Sequence, residues 1–172
     1  MEVDDRAVVE RQLGRPPRAF RRVVLRCPFG APAVTEQEPY DLDGEPFPTT
    51  YYLTCPQLVA SVARLEAAGG VERWSARVQE DASLATSLRA ATEEQRALRR
   101  ELAGKENVRD GGASLELGIG GASNPERLKC LHAHVAFALA RPEYLLGEEI
   151  LAELGPRWPQ RCCTPAPQTR PG

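Results

Sequence analysis

Histidine is nearly absent from this chain. The only two, His132 and His134, stand with Cys130 in NPERLKCLHAHVAF (124–137). Long apolar runs are missing as well. The longest, VAFALA (135–140), is far too short to span a bilayer. The N-terminus, MEVDDRAVVERQLGR, is acidic and amphipathic, with no apolar core or small-residue cleavage site of a secretory signal. Net charge is −2, so whole-chain electrostatics gives no reason to expect nucleic acid or an anionic membrane. The four arginines of RPPRAFRR (15–22) read as a solvated basic face. No internal repeat and no C-x-x-C pair is present. Five cysteines are an odd number, better read as thiols or ligands in a reducing, cytoplasmic setting than as a disulfide framework. Cys162 and Cys163, adjacent in a proline-rich tail, read as incidental.

What is present suits one domain. A chain of 172 residues, 42% hydrophobic and 27% charged, is long enough to bury a core. The first fifteen residues read as a helix closed by Gly14 and Pro16. FRRVVLRC (20–27), AVTE and TTYYLTC (49–55) read as extended, and Pro56 opens a helix ended by Gly69 and Gly70. An amphipathic stretch over 71–103 reads as one long helix or a helix pair, interrupted by Asp81, Thr92 and Gln95. ASLELGIGG (113–121) reads as a short strand. Ser123, Asn124, Pro125 and Glu126 predict a helix start, and a last helix covers 143–154. The expected fold is α+β: a small β-sheet with helices packed on one side, residues 1–154 forming one domain and 155–172 a disordered tail.

If 124–140 is helical, Cys130 and His134 share a face about 5–6 Å apart, while His132 points nearly opposite. Cys27 and Cys55 each end a predicted strand and precede proline, in LRCPFG and LTCPQL. Strands ending together would bring these thiols to Cys130 and His134, a Cys₃His set suited to zinc and, less readily, to an iron–sulfur cluster. With no obvious general-base carboxylate in the motifs, a structural or binding role is favoured for such a metal site. The plainer reading is that the cysteines are small buried hydrophobes and His134 a core residue. An enzyme reading uses the same residues. Cys55, beside a helix N-terminus that favours thiolate, would be the nucleophile of a hydrolase or thiol-dependent enzyme with His132 or His134 as base. Gly118, Gly120, Gly121, Ser123 and Lys129 would form an anion site at a strand-to-helix turn, although glycines in a tight turn are the commoner explanation. A protein partner along the 71–103 helix is a third class.

RCPFGAPAV (26–34), DGEPFPTTYYLTCP (43–56), RLEAAGG (64–70), GIGG (118–121) and KCLHAH (129–134), in that order, resemble the bacterial family catalogued as domain of unknown function 501, best represented among actinobacteria. The resemblance covers about residues 5–154. It implies no activity, but its pattern includes Cys27, Cys55, Cys130, His132 and His134, and so implies a shared Cys/His site. His132 is left as an auxiliary or substrate-facing group. Where some relatives carry a second cysteine in a C-P-C-G string, this chain has Phe29.

Overall fold

The computed structural model describes residues 4–104 and 109–165. The first helix, α1 (Asp5–Leu13), is capped by Asp4, whose carboxylate accepts the Ala7 N–H, and stops at Gly14, whose φ of 70° few other residues adopt. Three antiparallel strands follow, β1 (Phe20–Arg26), β2 (Pro32–Gln37) and β3 (Tyr51–Leu53), in the order β1-β2-β3. Val34, Thr35 and Glu36 pair with Leu53, Tyr52 and Tyr51. By alternation, Thr35, Gln37 and Tyr52 face Val9 and Leu13 of α1. Val34, Glu36, Tyr51 and Leu53 face the other way, where Tyr51 meets Phe137 edge-on at 5.4 Å. Covered on both faces, central β2 is buried throughout. The basic run before and within β1 is spent on these neighbours: Arg15 on Tyr52, Arg18 on Asp41, and Arg21 and Arg22 together on the buried Glu36.

The remaining helices are α2 (Pro56–Ala67), α3 (Gly70–Glu80), α4 (Ala82–Ala103), α5 (His132–Ala140) and α6 (Leu145–Glu153). The 71–103 stretch is a helix pair. Asp81 leaves helical geometry, and its carboxylate accepts the N–H groups of Ser83 and Leu84 at the start of α4. α5 is apolar on nearly every side and buried accordingly. Its Phe137 stands between Tyr51 and Tyr144, 5.3 Å from the latter ring. One continuous core runs from Val34 and Leu53 through Trp74, Leu88 and Leu131 to Ile150. Burial of a side chain such as Phe137 stabilises the fold by about 1.5–3 kcal/mol.

Two elements differ from the sequence reading. Residues 113–121 form two short 3-10 turns, Ala113–Glu116 and Ile119–Gly121, instead of a strand. Consecutive positive φ values at Gly120 and Gly121 (70° and 78°) are incompatible with extended pairing. The helix expected from Ser123 begins nine residues later, at His132. The Asn124 side chain accepts the Glu126 N–H and its carbonyl accepts the Arg127 N–H, so the capping residues close a turn. Further along, the Leu128 N–H donates to Ser75 and the Leu131 N–H to Glu66, tertiary acceptors that replace helical ones. Cys130 therefore precedes the helix, and the four-residue helical spacing to His134 is not formed.

Residues 155–165 return along the molecule. Trp158 packs on the core, and the Thr164 hydroxyl lies 2.9 Å from Gln12 Nε2 of α1. The remainder of the expected tail, 166–172, lies outside the described residues.

Candidate functional site

The four residues of the expected zinc set sit on different elements. His134 is fully buried in α5, its Nδ1 joined to the Tyr144 hydroxyl at 2.7 Å and its Nε2 without a partner among the described residues. Burial pushes this imidazole down to about pKa 3 and the Tyr144 phenol upward, so both are neutral core groups. Cys27 sits in the β1–β2 turn, where its N–H donates to the Ala31 carbonyl and its carbonyl accepts from Gly30. Cys55 occupies the N-cap of α2, 3% exposed, with its sulfur 3.9 Å from that of Cys163. Cys130 faces a different space. Among the described residues no three of His, Cys, Asp and Glu gather closely enough to hold a metal ion. The Cys130–His134 helical spacing anticipated for a zinc or cluster site is not formed, because Cys130 precedes the helix that carries His134.

The expectation for Cys55 also changes. Burial pushes its thiol up to about pKa 11, outweighing the pull of the Leu58 and Gln57 N–H groups at the start of α2. A helix N-terminus lowers a thiol pKa only where desolvation does not dominate. Cys55 is not poised as a thiolate.

A cavity of about 620 Å³ opens along β3, the edge strand of the sheet. Its walls are the end of α1 with Arg15, the strand from Tyr51 to Thr54, the first turns of α2, and the start of α5 with Cys130 and His132. Most of this lining is apolar, and the polar groups converge from separate elements, as in small-molecule sites. Arg15 donates to the Tyr52 hydroxyl at 3.0 Å and is the one permanently charged residue of the lining. Thr54, 1% exposed, has a hydroxyl with no partner among the described residues, and Gln12 Oε1 is likewise unpartnered. Both atoms are buried, and buried polar groups are nearly always paired.

His132 is held from outside the cavity. Glu66, in the last turn of α2, accepts its Nδ1–H at 3.1 Å and the Leu131 N–H at 2.6 Å through the same oxygen. A carboxylate acceptor there places a proton on Nδ1, which leaves Nε2 as the basic nitrogen of a neutral ring. Cys130, on the same cavity wall, is half-buried. Burial raises its thiol pKa, against the N–H groups of Ala133 and His132 at the first turn of α5. His132 and Cys130, which the helical projection set on opposite faces, thus share one wall because the chain before His132 is not helical.

The glycine segment serves that wall. The N–H groups of Gly118 and Gly121 are spent on the carbonyls of Ala122 and Gly118, and both Ser123 and Lys129 are exposed. No helix starts there to present free N–H groups to an anion. A side chain at Gly120 would come within 3.0 Å of Ala133 Cβ and 3.4 Å of Cys130 Sγ, so the glycine allows this turn to back the thiol. Gln95 and Arg99, polar interruptions of the α4 face, reach in from the far side. Gln95 donates to the Gly118 carbonyl, while the fully buried Arg99 donates to the carbonyls of Phe47 and Ser114.

In the sequence Glu66 and Arg15 read as solvated surface charges. Neither has a local signal that marks it; both are defined by what the fold brings opposite them.

A protein-family model described as "Protein of unknown function (DUF501)" matches residues 23–152, which include Glu66, Cys130 and His132 but not Arg15 or Cys163. No curated protein and no solved structure matches the chain.

Proposed function

Since the chain belongs to the DUF501 family of proteins of unknown function, we propose that its activity resides in the β3-edge cavity, as a thiol-dependent hydrolase of small anionic acyl compounds. The observation that carries this reading is the Glu66–His132 pair, which holds an imidazole in its basic tautomer on the wall that bears Cys130. Cys130 Sγ attacks the acyl carbon and His132 Nε2 takes the thiol proton. The leaving group departs with that proton, leaving a thioester on Cys130. Water, deprotonated by His132, then releases the acid and restores the thiol. A thiol whose pKa is raised by burial needs such a base, and His132 is the only histidine of the lining. Arg15 holds the substrate's anionic group, while Leu13, Leu53 and Val59 accept its apolar part.

The roles first assigned to Cys55 and the glycine loop pass to Cys130 and Arg15. A cytoplasmic setting, where thiols remain reduced, fits this chemistry, and no described helix is long and apolar enough to cross a membrane. Partner binding along 71–103 has less support. Among the described residues the exposed large hydrophobics are Phe29, Leu42 and Leu145, all outside that stretch, and its apolar side faces the core.

The test is steady-state release of nitrophenolate from 4-nitrophenyl hydrogen succinate, which carries a carboxylate, and from neutral 4-nitrophenyl butyrate. The proposal expects succinate-ester turnover that is lost in Cys130→Ala and His132→Ala, with Arg15→Gln raising KM for the succinate ester alone. Turnover equal in wild type and both alanine variants would overturn it.

A further inference from the structure

Cys55 and Cys163 lie 108 positions apart in sequence, yet their sulfurs stand 3.9 Å from each other. This approach is not a stray contact of a loose end. The next residue, Thr164, shares a hydrogen bond with Gln12 at 2.9 Å, and the carbonyl of Pro165 accepts from Arg11 Nε at 3.4 Å. Trp158, upstream, packs on the core. Contacts on both sides of Cys163 thus hold its thiol over the start of α2. The two thiols also differ in access, Cys163 being exposed and Cys55 buried.

We propose that Cys55 and Cys163 are a reversible disulfide-forming pair that ties the C-terminal segment to the rim of the β3-edge cavity. The remaining approach of about 2 Å to bonding distance lies within reach of side-chain rotation. The oxidant is a low-molecular-weight disulfide. Exposed Cys163 reacts first: its thiolate attacks one sulfur of the oxidant, the oxidant's S–S bond breaks, and one small thiolate leaves and is protonated. The sulfur of Cys55 then gives up its proton and attacks the Cys163 sulfur of this mixed disulfide, expelling the second small thiol. Two protein thiols are oxidised, and one small disulfide is reduced to two thiols. Cys55 is buried away from a soluble oxidant and its thiol is held protonated by that burial, so exposed Cys163 reacts first.

The consequence is positional. Cys55 stands between Thr54 and Pro56, and Thr164 engages Gln12; Thr54, Pro56 and Gln12 are all walls of the cavity. Oxidation fixes the segment against that rim, and reduction frees it. The bond itself does not depend on the hydrolase reading.

The test uses the full-length protein incubated with oxidised glutathione, alkylated, digested with trypsin and analysed by mass spectrometry. The expected product is a cross-link between the peptide holding Cys55 and the peptide starting at Cys162, removed by dithiothreitol. It should persist in a Cys27→Ser/Cys162→Ser variant, which leaves Cys55 and Cys163 as the only thiols of those two peptides, and disappear in Cys163→Ser. Oxidised wild type should also melt several degrees above its reduced form, with no such difference in Cys163→Ser. A vicinal Cys162–Cys163 bond, a stable glutathione adduct on Cys163 with Cys55 unreacted, or a cross-link that survives Cys163→Ser would each overturn the proposal. If a variant folds poorly, fragmentation of the cross-linked wild-type peptides decides the matter, because it assigns the bond to Cys55 and Cys163 or to Cys27 or Cys162 instead.

Discussion

Glu66 and His132 are joined by a 3.1 Å hydrogen bond between the last turn of α2 and the first residue of α5, and the same carboxylate oxygen caps the Leu131 N–H. One side chain thereby satisfies the Leu131 N–H at the start of α5 and holds the imidazole on the wall that bears Cys130. Gln in place of Glu66 keeps an acceptor for both N–H groups but removes the charge that stabilises the imidazolium. We expect Glu66→Gln to retain the fold and to lower turnover of 4-nitrophenyl hydrogen succinate by about 10- to 100-fold, mainly in kcat. Unchanged kcat would remove Glu66 from the mechanism.

His134 makes stability fall in acid. Its pKa is about 3 in the folded protein and about 6.5 in an unfolded chain, so between those values the unfolded state binds one proton more. Stability is therefore unaffected above about pH 6.5 and declines as pH drops below it, by at most about 1.4 kcal/mol per pH unit from this residue. Urea midpoints measured between pH 7 and 4.5 should show that slope in wild type and a shallower one in His134→Phe. Equal slopes would mean that the His134 ring is solvated or charged in the native protein.

Gly147 lets α6 lie close against α5. A Cβ there would lie 2.6 Å from a Tyr144 ring carbon, 2.7 Å from Ala138 Cβ and 2.7 Å from the His134 carbonyl oxygen. Although alanine favours helix, Gly147→Ala should destabilise the protein by about 1–3 kcal/mol, because the crowding includes backbone. Chemical denaturation checks it; a neutral or stabilising effect would show that the two helices separate freely.

Metal content follows from the dispersal of Cys27, Cys55, Cys130 and His134. Elemental analysis of untagged protein prepared without chelator should find well below one zinc per chain, unchanged in Cys130→Ser. A stoichiometric zinc lost in Cys130→Ser would restore the Cys/His metal site.

Much of the architecture was legible because it is written in short-range signals. Gly14, the Cys55–Pro56 step and the Gly69–Gly70 pair each mark a helix boundary, and the interruption at Asp81 falls where α3 gives way to α4. The segment 113–131 was misread because its cues are ambiguous locally. Ser123-Asn124-Pro125-Glu126 suits a turn as well as a cap, and the acceptors that decide between them, Ser75 and Glu66, lie more than fifty residues away. That single displacement moved Cys130 from the face of His134 to the wall of His132. KCLHAH was legible as a place where chemistry concentrates, but the partner of each residue in it was not. Glu66, Arg15 and Cys163 acquire meaning only from tertiary contacts that no spacing rule contains.

The central claim is that Cys130 is the nucleophile of the β3-edge cavity, and intact-protein mass spectrometry after brief exposure to 4-nitrophenyl hydrogen succinate tests it most directly. The expected result is one succinyl group per chain, mapped to Cys130, absent in Cys130→Ala and slower to form in His132→Ala. No adduct, or one on another residue that forms equally in Cys130→Ala, would contradict the account.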